Sequence, residues 1–375
     1  MRLLARYLLR ECLVAFAFCF SAFLLLLIAS DLIANLHDMQ EDKLRGTDIV
    51  AYYFFKTPEF LPILIPVALL LALLYCLTNH ARHNEITAIR AAGVSLWRLS
   101  LPYFSVALVS AIGLFVLNEY LAPRAGDLAE DIRSSRVSKG SEAEDRRIVK
   151  NRLLTNSREG RTWYLAVYNR QTGEITSPTL VWQTADGMKR YIRAKRAVYS
   201  DGAWNFFEVN ERRQAPGPDP VQVPMPPVEL LTLPGLSETP AMINSEISIS
   251  AQYGNEGRTR RADIPIGVIT DYLHLHPNPE PRIKAWLYTK LHGRFATPVT
   301  CLVVVLLAVP FGAASGRRNV FVGVAASIVI FFAYYILQQF GFAFAETGRI
   351  PAWFGAWFPN LLVGITGLWM MAKIR

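Results

Sequence analysis

Six stretches of this chain contain no Asp, Glu, Lys or Arg: Cys12–Ser30, Phe60–Asn79, Leu99–Asn118, Phe295–Gly316, Asn319–Ala345 and Ile350–Ala372. At about 1.5 Å of rise per residue, about 20 residues cross a hydrocarbon core of roughly 30 Å. Buried helices of a large soluble protein keep a polar face, and these runs have almost none. The pattern predicts six transmembrane helices, which accounts for a hydrophobic content of 52% in a chain of 375 residues. The first run follows Arg2, Arg6 and Arg10 as a signal peptide would, but it is longer than the usual signal core. Ile28-Ala29-Ser30 is also a poor cleavage site, so the run is read as a retained span.

Lys and Arg in short connections set the orientation. They cluster at the N-terminus, in the second loop (Arg82, Arg90, Arg98), in the fourth loop (Arg317, Arg318) and at the C-terminus (Lys373, Arg375). The opposite short loops offset Lys43, Arg45 and Lys56 with Asp38, Glu41, Asp42, Asp48 and Glu59. Both termini are therefore expected in the cytoplasm, with the long segment between spans three and four outside. All four cysteines lie in or beside the spans, so no disulfide framework holds the outer segment. The net charge of +9 suits anionic headgroups, and no nucleic-acid partner is expected.

In the outer segment a polar helix continues span three from Asp127 to about Gly140, and strands follow. Thr162–Tyr168 is aromatic and β-branched and closes on Asn169–Gly173. Tyr191–Tyr199 and Trp204–Val209 are joined through Asp201-Gly202, a hairpin signal because glycine tolerates the positive φ of a tight turn. Residues 215–240 hold eight prolines and predict an edge loop of the β-domain. A short helix is expected around Asp263–His274, and an amphipathic helix over Ile283–Gly293 leads into span four. The layout is 1–124 with spans one to three, 125–282 as the β-domain, and 283–375 with spans four to six.

No glycine is followed by lysine, so the phosphate-binding loop of an ATPase is missing and any ATP must be bound by another chain. The pairs His274/His276 and His80/His83 lack a third ligand, which favours ordinary histidines over zinc. Gly312–Gly316 superficially suggests a serine nucleophile, but Ala313 stands where that motif needs glycine, and a helix end before Arg317-Arg318 is the stronger reading. The second cytoplasmic loop is more telling. Residues 82–97 predict a short helix with Ile86, Ile89 and Arg90 on one face, Glu85 among its polar residues, and Gly93 as its stop. Such a helix either seats in a partner's groove or floats its apolar side in the bilayer.

The stretches Arg6–Glu11, Asn84–Gly93, Trp204 after the Asp-Gly turn, Lys290–Pro298 and Val309–Gly312 together resemble the LptF/LptG permease family of the lipopolysaccharide exporter. The resemblance implies three spans, an inserted periplasmic jellyroll-like β-domain and three further spans. It implies a paired LptF/LptG-type permease, a cytoplasmic ATPase dimer (LptB-like) that binds the ATP, and periplasmic bridge proteins (LptC/LptA-like) that accept lipopolysaccharide. The chain itself is then a non-catalytic subunit without a cofactor. The 82–97 segment is similar to the family's coupling helix, with Glu85 at the acidic contact to the ATPase and Ile86, Ile89, Arg90 and Gly93 around it. Spans one and five look like the lateral gate. Family members often carry basic residues near the outer end of span one to meet substrate phosphates; here Asp31, His37 and Asp38 stand there. The nearest substitutes are Lys43, Arg45, Arg124 and Arg133. The stretch Phe340–Pro359 looks more like LptG than LptF. The competing reading is a membrane-anchored receptor or scaffold whose β-domain binds an envelope ligand.

Overall fold

The computed structural model describes residues 2–137, 148–184, 186–216, 221–254, 264–313 and 320–373. Its residues separate into two compact units, Met1–Arg133 with Pro281–Arg375, and Ser134–Glu280.

The first unit is helical. Helix α1 (Arg2–Glu41) and α2 (Gly46–Arg82) are followed by the short α3 (Glu85–Ala91) and by α4 (Leu96–Val116). A π-helical turn, Leu117–Leu121, joins α4 to α5 (Ala122–Val137). After the second unit come α8 (Pro281–Ala313), α9 (Val320–Glu346) and α10 (Ala352–Lys373), the labels α6 and α7 falling to two helices of that second unit. Among the described residues six helices are long and apolar enough to cross a membrane, three before and three after the β-region in the chain, as the charge-free runs predict. The protein is a multipass membrane protein. α5 continues the third span, so the helical unit extends through Arg133, past the expected limit at 124. The Gly312–Gly316 segment lies only partly in view: α8 is helical to Ala313, and residues 314–319 fall outside the described residues.

The centres of α2 and α8 are the most buried and those of α1 and α9 the least. The core runs along Leu69, Leu73 and Leu77 of α2, Tyr103 and Leu114 of α4, and Val304 and Ala308 of α8. With lipid outside as apolar as the core, close packing and small residues must supply the specificity. Gly367 lies against Leu306 and Gly312 against Leu77, where a β-carbon would come within 2.9 and 2.5 Å of side-chain atoms.

The second unit holds eight antiparallel strands in one sheet: β1 (Ile148–Asn156), β2 (Arg161–Asn169), β3 (Ile175–Gln183), β4 (Lys189–Arg193), β5 (Arg196–Ser200), β6 (Ala203–Gln214), β7 (Gln222–Pro224) and β8 (Val228–Leu233). Among the described residues it also holds the helices α6 (Pro240–Gly254) and α7 (Ile266–Leu275). The β5–β6 hairpin turns through Asp201 and Gly202, both at positive φ, as the Asp-Gly pair predicts. The predicted strand Tyr191–Tyr199 is instead two strands. It breaks at Ala194-Lys195 opposite Glu208, which sits at φ +51. There is no shift of register: β4 and β5 pair with successive parts of β6, Arg193 opposite Asn210 and Arg196 opposite Phe207. The proline-rich stretch carries β7 and β8, both paired only with β6 among the described residues. Helix α6 has no strong hydrophobic periodicity, and the sequence reading missed it.

In the core of this unit Trp163 stacks on Phe206 and meets Trp204 at a tilt, all three fully buried, and the Trp204 indole N–H donates to the Glu238 carbonyl oxygen at 2.6 Å. Glu238 is itself fully buried; its carboxylate accepts from Asn156 Nδ2 at 2.8 Å and from Arg161 Nε at 3.0 Å. Removing one member of a buried ion pair costs about 3–5 kcal/mol, because the other charge stays buried without its partner. Glu238→Ala is therefore expected to make residues 134–280 of the full chain rapidly cleavable by protease, with Glu238→Gln intermediate. Equal protection of Glu238→Ala and the native chain would contradict this account. Elsewhere burial raises the Glu211 carboxyl, but Arg190 and Arg213, which donate to it at 2.9 and 2.7 Å, outweigh that and hold it below the ordinary carboxylate range.

Candidate functional site

The predicted helix over 82–97 is shorter than expected. Arg82 ends α2, Leu96 opens α4, and only Glu85–Ala91 is helical. Gly93 at φ +83 stops it, the left-handed backbone that glycine adopts without a β-carbon penalty. Ile86 is buried and Ile89 half-buried, both packed on the bundle's own core. Ile86 and Ile89 thus pack α3 against the chain's own helices. Arg90 is half-buried beside it.

Glu85 is the hub of this corner. Its Oε2 lies 2.8 Å from Nδ1 of His80 at the end of α2, and the Tyr7 hydroxyl of α1 donates to it at 3.4 Å. His80 is almost fully buried, and its Nε2 lies 3.3 Å from Glu11 Oε2 of α1. One imidazole is therefore held between two carboxylates, one from α1 and one from α3, with the Tyr7 ring edge-on to it at 5.6 Å. Glu85 thus links α3 to α2 through His80 and to α1 through Tyr7. The sequence reading assigns Glu85 outward only, takes His80 for an ordinary histidine and gives Tyr7 and Glu11 no role at this corner. The available signal was their charge or polarity beside the spans, where ionisable groups are costly.

The four basic candidates do not form one site. Arg133 is engaged with α1, its Nε 2.6 Å from Asp42 Oδ2 and an Nη 3.6 Å from Asp38 Oδ2. Arg45 caps α2, its backbone N–H donating to Asp48 Oδ2 at 3.0 Å while its side chain is exposed. Lys43, at φ +55 in the turn before α2, and Arg124 are exposed. Nearby the structure places a pair the sequence reading did not form: Lys56 Nζ lies 2.7 Å from Asp31 Oδ2, which also accepts from the Tyr53 hydroxyl at 3.0 Å. Both charges are largely buried, and Lys56 lies over the Tyr52 ring. Asp31 is thus neutralised within the chain, a role that loop charge counting does not reveal.

At the π-turn, buried Arg294 of α8 donates from Nη1 to the Asn118 carbonyl oxygen at 2.6 Å. A π-turn lets a backbone carbonyl point out of the helical ladder, and such turns are frequent at functional sites. The histidines of α7 are structural. His276 contacts Glu246 at 2.8 Å and Ser157 at 3.0 Å, His274 meets Arg158, and no metal-holding cluster occurs among the described residues.

This arrangement, six spans with a short helix locked to α1 and α2, was compared with known proteins. The family described as the lipopolysaccharide export system permease LptF/LptG matches residues 6–373. The chain belongs to the LptF/LptG family. It is also similar to the lipopolysaccharide export system permease protein LptG of Haemophilus influenzae, 24% identical over 325 residues, which is 85% of this chain and 84% of that protein. Membership makes it a permease-type subunit of the inner membrane. The Glu85 hub lies within the Asn84–Gly93 stretch on which the LptF/LptG resemblance rests, and Arg294 lies within Lys290–Pro298.

Proposed function

We propose that this LptF/LptG-family chain is one half of a permease heterodimer, on the LptG side, that extracts lipopolysaccharide from the inner membrane and passes it to a periplasmic bridge. The observation that carries the reading is the short helix α3, whose buried Ile86 and multiply bonded Glu85 make it move as one piece with α1 and α2. A scaffold has no use for such a joint at the membrane surface; a permease driven by a separate ATPase does. Two copies of that ATPase would bind and hydrolyse the ATP and push on α3 from the cytoplasm, with both termini on the same side by the distribution of Lys and Arg. Helices α1 and α9, the least buried of the six, fit a lateral gate facing the partner permease. Lys43, Arg45 and Arg124 are the basic groups placed to meet substrate phosphates, while Arg133 holds Asp38 and Asp42 instead.

The test is to reconstitute the chain with its paired permease and the ATPase around bound lipopolysaccharide and add ATP. Release that follows hydrolysis is expected. Hydrolysis without release, or no retained lipopolysaccharide, would remove this function.

A further inference from the structure

The N-terminal ends of α1 and α4 enclose a groove of about 690 Å³. Leu4 and Leu9 of α1 and Leu101 and Pro102 of α4 line it, and Arg6 and Arg98 stand on the same lining. Both arginines are exposed, and neither has an ion-pair partner among the described residues. The nearest acids in sequence, Glu11 and Glu85, are taken up by His80 and Tyr7. Two guanidinium groups without an ion-pair partner among the described residues therefore share a trough whose walls are, apart from Ser105, apolar. At the same helix end Trp97 is half exposed and stacks on Phe104 with ring centres 6.4 Å apart. An exposed tryptophan at the end of a span marks the headgroup depth of a bilayer.

We propose that this groove binds an anionic glycerophospholipid, with Arg6 and Arg98 on the headgroup and an acyl chain against Leu4, Leu9, Leu101 and Pro102. Guanidinium forks match phosphate oxygens, and basic pockets between spans suit acidic headgroups. A zwitterionic lipid offers the same phosphate but brings its own cation toward two arginines that have no acid to offset it. Charge complementarity thus selects the anionic class. The inference depends on the helices spanning a bilayer and not on the transported substrate, so failure of lipopolysaccharide release would leave it standing.

The test is native mass spectrometry of the full chain in mild detergent, titrated with phosphatidylglycerol or phosphatidylcholine. The native chain is expected to retain one phosphatidylglycerol in preference to phosphatidylcholine. Each basic residue facing an anionic headgroup contributes roughly a five-fold factor, so the R6Q/R98Q double variant is expected to lose about twenty-five-fold in affinity for phosphatidylglycerol. Its phosphatidylcholine binding should stay unchanged. Ser105 is exposed on the same lining, and Ser105→Phe, which fills the trough while keeping both charges, is expected to weaken both lipids. Lys373→Gln, an equal loss of charge on another helix, should change nothing. The proposal is overturned if the native chain does not discriminate, if R6Q/R98Q or Ser105→Phe keeps native phosphatidylglycerol affinity, if Lys373→Gln lowers it equally, or if glycerol phosphate displaces the lipid and so shows an anion site alone.

Discussion

Replacing Glu85 with lysine in the assembled transporter is expected to abolish ATP-driven lipopolysaccharide release and to strip the ATPase from the permease during purification. Two effects combine. The carboxylate that accepts from Tyr7 and meets His80 at 2.8 Å disappears, and a cation takes its place beside an imidazole that is still held by Glu11. If the ATPase holds the Glu85 carboxylate with a cation of its own, truncating one side of such a pair costs about 2–5 kcal/mol, the lower end being roughly thirty-fold in association. Two milder variants separate the inward role from the outward one. Glu85→Gln keeps an acceptor for Tyr7 but presents no charge to a partner, whereas His80→Gln removes the imidazole and leaves the carboxylate. If the partner grips the charge, Glu85→Gln should lose the ATPase while His80→Gln retains it but transports slowly, because α3 then slips against α2. A Glu85→Lys chain that assembles and transports normally would end the coupling role altogether.

The hub shows how far a sequence can be read here. The six spans were legible because a run of about 20 residues without charge has few other uses in a folded chain. Gly93 was legible as a stop, and Asp201-Gly202 as a hairpin, because both need positive φ and glycine supplies it cheaply. The sense in which Glu85 is used was not legible. Its partners come from positions 7, 11 and 80, and only the packing of α1 against α2 brings these into reach. The same holds for Asp31 with Lys56 and for Arg133 with Asp42. In each case charges counted along the sequence pair across helices, and such a count cannot tell an offered charge from a satisfied one. Arg133 is the clearest instance, since a candidate for meeting phosphate turns out to be the counter-ion of two aspartates. In the β-unit, the break at Ala194-Lys195 was not legible because it lies opposite Glu208, whose positive φ is a backbone feature that the residue pattern of Tyr191–Tyr199 does not carry.

The contact between α9 and α10 should respond as sharply to a single methyl group. A β-carbon on Gly341 would lie 2.4 Å from the Gly355 carbonyl oxygen, and one on Gly355 would lie 2.4 Å from the Gly341 carbonyl oxygen and 2.6 Å from the Ala345 β-carbon. These are backbone obstacles that no rotamer change relieves, so the helices must separate. Overpacking of this kind costs about 1–3 kcal/mol for one added carbon, and Gly341→Leu should exceed that range. Gly364 on the same helix α10 has no atom within 4 Å of an added β-carbon, so Gly364→Ala should be neutral or slightly stabilising, since alanine is the better helix former. The thermal midpoint in detergent is expected to fall in the order Gly364→Ala, Gly341→Ala, Gly341→Leu, and equal midpoints for the three would refute the close-packing account. The functional consequence follows from position. Helix α9 is among the least buried of the spans and is held mainly by α8 and α10. Widening the Gly341–Gly355 contact by even 1 Å therefore displaces the exposed face of α9, which under the proposed function meets the partner permease. Gly341→Ala should accordingly slow lipopolysaccharide release more than its loss of stability alone accounts for, while ATP hydrolysis by the partner continues.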